Sequence, residues 1–199
     1  MREKKVIRTV PIYFFILKVP GRGVRRTITV IYKLGTVLNI FLNPDGAKRA
    51  PLRERVFSAF PGAGEKADAR VKGRLEDYFR QKKRGFDLKY DLSGLTPFQR
   101  KVLSETASIP HGKCLSYSEL GRKLGNPGLA RAVGSALAAN PVPILIPCHR
   151  VVKADGSTGG FMSRKTDATG WKSFLIGLES DGTRLETGKV SRVPSRRSS

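Results

Sequence analysis

Three stretches near the start of the chain, residues 10–19, 27–34 and 36–42, are rich in β-branched and aromatic side chains, which suit a pleated, half-buried surface. Leu34-Gly35 marks a turn-sized break between the second and third, so the pattern predicts a small antiparallel sheet. Over residues 63–80 the period changes. Val71, Leu75, Tyr78 and Phe79 recur at i, i+4, i+7 and i+8, one face of a helix laid against that sheet. Residues 81–93 mix charges with a short strand signal, LKYDL, and a domain boundary is expected near Ser93 and Gly94.

Beyond that boundary the helix signals become local and sharp. Thr96-Pro97-Phe98-Gln99 offers an N-cap hydroxyl, a proline at the first helical position and a glutamine that completes a capping box. A helix from Pro97 to Ala107 follows. Ser116-Tyr117-Ser118-Glu119 repeats the motif before a short helix ending near Leu124, and Gly125-Asn126-Pro127-Gly128 must break it. Residues 129–139 restart a helix, so the pair reads as a helix-turn-helix. This second helix, LARAVGSALAA, presents Ala130, Gly134, Ser135 and other small residues, with Arg131 as its one long polar side chain. A helix that reads major-groove base edges carries Arg, Asn, Gln or Lys. A small-residue face instead allows close approach to a narrow groove, with one arginine to insert, or tight packing against another helix.

Composition narrows the partner. The chain has 199 residues, 38 Lys plus Arg and 16 Asp plus Glu, a formal net charge of +22. With 39% hydrophobic residues it can bury a core, and a folded domain of this charge points to a polyanion such as nucleic acid. A solvated basic surface is the plainer alternative. The charge is uneven: residues 1–50 hold 11 basic and 2 acidic residues, whereas residues 101–150 hold 6 and 2. Residues 181–199 read as a mobile basic tail. The apolar run PIYFFILKV is too short to span a bilayer, and with no small-residue cleavage site after it a signal peptide is not expected. Two cysteines make neither a disulfide framework nor a four-cysteine zinc site.

Candidate chemistry lies at the end of PVPILIPCHRVV. Val142, Ile144, Leu145 and Ile146 are expected to form a buried extended segment, interrupted by Pro147 just before Cys148-His149-Arg150. A cysteine closing an apolar run is either an inert core residue or, with His149 beside it, a nucleophile whose thiolate the imidazole can generate. Cys114 is read as structural and Trp171 as packed core.

The segments PFQRKVL, IPHGKCLSYSEL, ARAVGSALAANPVPILIPCHRVV, TGG and KSFLIGLE, in this order, resemble the methylated-DNA-protein-cysteine methyltransferases, which repair O6-alkylguanine. The resemblance covers residues 95–179. It implies an α+β protein in three parts. Residues 1–93 would form a small ribonuclease-H-like domain on an antiparallel sheet, and residues 94–180 a mostly helical winged-helix or helix-turn-helix catalytic domain. Residues 181–199 would be the tail.

The resemblance also implies single-turnover transfer of the alkyl group to Cys148, with His149 removing the thiol proton through a bridging water and Glu179 polarising His149. Tyr117 would crowd the target phosphate and offer its hydroxyl to the guanine. Arg131 would fill the gap left by the extruded base, on a helix whose Ala130, Gly134 and Ser135 also meet DNA. Asn140 would be a hinge, and the main chain at Cys148, Val151, Ser157 and Thr158 would bound the guanine pocket. The expected partner is double-stranded DNA containing O6-alkylguanine, met by a monomer, with cooperative binding along DNA left open. No cofactor and no membrane are implied, and the location is cytoplasmic, or nuclear in a eukaryote. Some relatives carry a structural zinc. Here the cysteines are Cys114 and Cys148 and the histidines His111 and His149, all beyond residue 110, so no metal is expected. The rival readings are a non-catalytic lesion sensor of the same fold and a cysteine hydrolase built on Cys148-His149.

Overall fold

The computed structural model describes residues 11–19, 26–43, 49–161 and 169–180. The proposed tail, residues 181–199, lies outside them, as do residues 162–168. Strand β1 (Tyr13–Val19) runs antiparallel to β2 (Arg26–Lys33), with Tyr13 opposite Tyr32 and Val19 opposite Arg26. A tight turn joins β2 to β3 (Thr36–Leu42), where Leu34 and Gly35 both take positive φ, 48° and 70°. Such turns match the right-handed twist of the two strands they connect.

The sheet is not wholly antiparallel. A two-residue strand, β4 (Gly64–Glu65), adds parallel to β1, giving the order β3-β2-β1-β4. It is delivered by helix α1 (Arg49–Ala59), which the hydrophobic pattern missed because few of its residues face inward. Alternation along the strands sends Phe14 and Ile31 to one face, where they meet Val56 of α1. Phe15, Leu17, Ile28 and Val30 go to the other, into the main core.

Helix α2 (Ala69–Phe79) starts where the Asp68 side chain accepts from Val71 N at 2.9 Å, and it buries Val71, Leu75, Tyr78 and Phe79 as its period predicts. The LKYDL segment forms only a bridge: Tyr90 pairs with Val37, and the chain leaves the sheet after Asp91 N donates to Val37 O.

Helices α3 (Pro97–Ala107) and α4 (Tyr117–Lys123) each carry the complete capping box expected of them, on Thr96 with Gln99 and on Ser116 with Glu119. The break after α4 is tight. A Cβ on Gly121 would stand 2.8 Å from Asn126 O, and Asn126 caps a single 3₁₀ turn that leads directly into α5 (Ala130–Ala138). Strands β5 (Leu115–Ser116) and β6 (Val151–Val152) pair in parallel behind α4. Helix α6 (Thr169–Glu179) follows. Trp171 on α6 is 1% exposed and donates to Asn43 O at 2.8 Å, so the core placement read for it holds.

Residues 142–146 depart from the expected extended segment. They form a turn in which Ile146 N donates to Val142 O at 3.0 Å and Ile144 has φ 78°. Pro141, Pro143 and Pro147 deny this stretch the N–H groups a strand ladder needs, and the Asn140 side chain accepts from Val142 N instead. Among the described residues no helix is long and apolar enough to cross a membrane.

Candidate active site

Cys148 opens a short 3₁₀ turn, Cys148–Arg150, directly after that loop. Its thiol is buried, and Asn140 Nδ2 donates to Sγ at 3.2 Å. Asn140 is fixed from three sides. Val142 N–H can only donate, which assigns Oδ1 to it at 3.0 Å, and Nδ2 then faces both Ile146 O at 3.0 Å and Sγ. Burial pushes the Cys148 thiol above its ordinary range, against the Asn140 hydrogen bond and the Lys172 charge, which favour the thiolate.

His149 is wholly buried, and its Nε2 lies 3.0 Å from Glu179 Oε1. A carboxylate can only accept, so the neutral ring carries its proton on Nε2 and leaves Nδ1 as an acceptor. Nδ1 has no protein partner among the described residues. Burial lowers the imidazole below its ordinary value, and the Glu179 hydrogen bond and charge only partly restore it.

Glu179, the last residue of α6, is 3% exposed yet well satisfied. Its Oε1 accepts from Arg150 Nη2 at 2.8 Å and from Tyr78 OH at 2.6 Å, besides meeting His149. Oε2 accepts from Arg150 Nε at 2.8 Å and from Gly112 N at 3.2 Å. Burial alone would raise this carboxyl, but the hydrogen bonds and charges of His149 and Arg150 overcome it and hold the group far below the usual carboxylate range. Arg150 Nη1 also donates to Ile109 O. Gly112 is obligatory here, because at φ 71° a Cβ would meet Glu179 O at 2.9 Å.

A cleft of about 430 Å³ opens beside the thiol. Tyr117, Ala130, Arg131, Gly134, Ser135 and Phe161 line it together with Cys148. The Tyr117 ring faces Gly134, where a Cβ would be 3.7 Å away, and its hydroxyl donates to Gly160 O at 3.1 Å. Asn140 sits behind the thiol rather than in the lining. Ser157 and Thr158 also lie outside the lining, in the loop where Ser157 N donates to Asp155 Oδ1 and Lys153 N to Ser157 O.

Val151 contributes its carbonyl to a residue that sequence reasoning passed over. Lys172 is 1% exposed, and its Nζ donates to Val151 O at 2.6 Å, to Gly160 O at 3.2 Å and toward Tyr117 OH at 3.5 Å. Burial lowers it to about 8, with the two thiols pulling upward. A signal for it existed. Lys172 and Glu179 stand seven apart on the helix face that carries Leu175 and Ile176, and charged residues on an apolar stripe require buried partners. Arg150 and Tyr78 were also passed over. Cys114 lies apart from the cleft, buried beside Val152 and Ile176, and burial raises its thiol to about 11. Among the described residues no group of three or more metal-ligating side chains converges.

A cysteine backed by a histidine–carboxylate pair, on the wall of an open cleft edged by a small-residue helix, is the layout of a protein that reacts through its thiol. Residues 97–181 match the family model described as 6-O-methylguanine DNA methyltransferase, DNA binding domain. A methylated-DNA–protein-cysteine methyltransferase of Salmonella typhimurium is 36% identical over 129 residues, 65% of this chain and 68% of that protein. A constitutive one from Bacillus subtilis is 37% identical, over 56% of this chain and 65% of that protein. Mycobacterium tuberculosis OGT in complex with DNA superposes with a TM-score of 0.66 at 26% identity, covering 84% of this chain and 92% of that one. The chain belongs to the methylated-DNA–protein-cysteine methyltransferase family.

Proposed function

We propose that this protein repairs DNA directly, moving the alkyl group of an O6-alkylguanine onto Cys148 and being consumed in the act. The observation that carries the reading is the division of labour around His149. Glu179 occupies Nε2, and the unpartnered Nδ1 is left as the proton acceptor, next in sequence to a buried thiol on the cleft wall. A water bridging Nδ1 and the thiol completes the relay. The thiol proton passes to His149, Sγ forms a bond to the alkyl carbon, and the carbon–O6 bond breaks. The released electron pair stays with the guanine, which takes up a proton and remains in the strand as the ordinary base. The product thioether has no route back to a thiol, so each molecule acts once.

The other residues divide into extrusion and binding. The target oxygen lies inside the duplex, so the nucleotide must leave the stack, which costs a few kcal/mol. Arg131, exposed at the cleft edge, fills the space it vacates, while Ala130, Gly134 and Ser135 let α5 approach the minor groove. Tyr117 would crowd the target phosphate and donate to the guanine, and Lys172 ties the Val151 carbonyl to that of Gly160, which lines the cleft. Asn140 holds the thiol and the turn behind it, and the main chain at Val151, Ser157 and Thr158, though outside the lining of the cleft, would close on the guanine side once the base has entered. Helices α4 and α5 act as the helix-turn-helix of a winged-helix unit spanning residues 94–180. The described stretches within residues 1–93 would be a ribonuclease-H-like unit. The protein works as a monomer on double-stranded DNA.

Intact mass after incubation with a duplex containing one O6-methylguanine tests this. A methyl-sized increase on Cys148, saturating at about one per protein and absent from Cys148→Ser, is expected. DNA binding without any adduct would make the protein a lesion sensor instead.

A further inference from the structure

We propose that Tyr78 is a positioning residue of the Cys148 relay, setting the proton affinity of His149 through the hydrogen bond it donates to Glu179 Oε1. The inference rests on the alkyl-transfer reading above, and it gives α2, from the half of the chain that carries no reacting group, a direct hand in the chemistry.

Its geometry singles it out among the core aromatics. Tyr78 is 1% exposed, and its hydroxyl stands 2.6 Å from the oxygen that His149 Nε2 approaches at 3.0 Å and Arg150 Nη2 at 2.8 Å. Three donors therefore crowd Oε1, while Oε2 takes two. An ionised carboxyl offers about four lone-pair sites, so donors on one oxygen compete, and each draws off charge that would otherwise hold the imidazole proton. Burial and the neighbouring carboxylate push the Tyr78 phenol well above its ordinary range, so it stays a neutral donor.

The other ionisable groups around the pair are Arg150 beside both, Lys172 and Cys148 on the His149 side, Cys114 toward Glu179, and His111, whose ring meets Tyr78 edge-on at 6.2 Å. Apart from His149 itself, Arg150 and Tyr78 are the side chains that bond Glu179 directly. Arg150 is tied to Ile109 as well. The tyrosine hydroxyl is thus the adjustable donor. A second contact nearby has no part in this: Gln81 Nε2 donates to Leu178 O at 3.1 Å, joining the ends of α2 and α6 without touching the carboxylate.

The test uses the full chain as wild type, Tyr78→Phe and Gln81→Ala. Phenylalanine keeps the ring contacts with Phe79 and Phe86 at 5.4 and 5.1 Å. His149 is titrated by ¹⁵N NMR, and adduct formation on methylated duplex is timed across the same pH range. With Tyr78→Phe, the His149 titration and the acid limb of the rate profile are expected to rise together by about half a pH unit or more, while Gln81→Ala leaves both in place. An unmoved titration in Tyr78→Phe, or an equal movement in Gln81→Ala, would overturn the proposal. Placing 3-fluorotyrosine at position 78, a stronger donor, is expected to move the titration down, and it keeps the question open to measurement should Tyr78→Phe fold poorly. No adduct with the wild type would sink the alkyl-transfer reading alone, because the His149 titration still decides what Tyr78 does.

Discussion

Burial pushes the Cys148 thiol up and the His149 imidazole down, so at neutral pH both hold their uncharged forms. The resting site is a thiol beside a neutral base, and on the proposed mechanism the proton moves as a substrate carbon comes into place. The adduct-forming rate constant is therefore expected to be nearly level between about pH 7 and 8, and to fall only as pH drops below the ordinary histidine value of 6.5. A tenfold rise per pH unit over that range would mean that preformed thiolate does the work instead. Glu179 supports the fold as well as the base. Glu179→Gln would leave Arg150, 7% exposed, buried without its anion, a loss of about 3–5 kcal/mol and a fall in thermal midpoint of roughly 10 °C. Because the folded-state carboxyl is depressed below its ordinary 4.5, its stabilisation is complete above that pH and drains away below it. Melts of the two proteins should accordingly converge as the buffer is made more acid.

At the scale of elements, α5 carries the prediction. Arg131→Ala removes the long side chain from its exposed face while leaving the buried Val133, Ala136 and Leu137 untouched. Repair of a duplex substrate is expected to slow by at least about tenfold, with near-normal reaction on free alkylguanine base, measured as Cys148 adduct against time. Equal losses on both substrates would remove Arg131 from base extrusion. Elements such as α3 and α4 were readable in the sequence because their capping boxes are complete within four residues, and local rules suffice for local structure. The stretch at residues 142–146 was misread because apolar composition does not distinguish a strand from a buried turn; the prolines at 141, 143 and 147 weaken a ladder, and the Asn140 side chain, pairing with Val142 N, fixes the turn. Helix α1 gave little periodicity to detect. Tyr78 was placed correctly as buried, but its partner lies 101 residues away, and no spacing rule reaches that far. Cys148, His149 and Glu179 were named on the strength of a family motif, whereas the Lys172 and Arg150 contacts are tertiary and emerge only when α6 closes over the Cys148 turn.

Across the whole molecule, charge and chemistry are separated. Residues 1–50 carry 11 basic and 2 acidic residues, while residues 101–150, which supply most of the cleft, carry 6 and 2. Affinity for undamaged duplex is expected to fall by orders of magnitude between about 50 and 200 mM salt through counterion release, with the reaction of free alkylguanine base little changed. A salt-insensitive affinity would place DNA binding outside the basic surface. One core joins the sheet to the site, since Phe15 and Val30 share an apolar cluster with Val133, Cys148 and Leu175. Glu179 then gathers hydrogen-bond donors from three separate stretches of chain, at Tyr78, Gly112 and His149-Arg150. Such a knot resists evolutionary drift. No strand of it can change alone without stranding a buried charge or an unmet donor, so lineages that diverge freely over the surface should retain these positions as a set, and because the cost is one of folding, a lineage that gives up the chemistry should keep the Tyr78, Arg150 and Glu179 contacts as well.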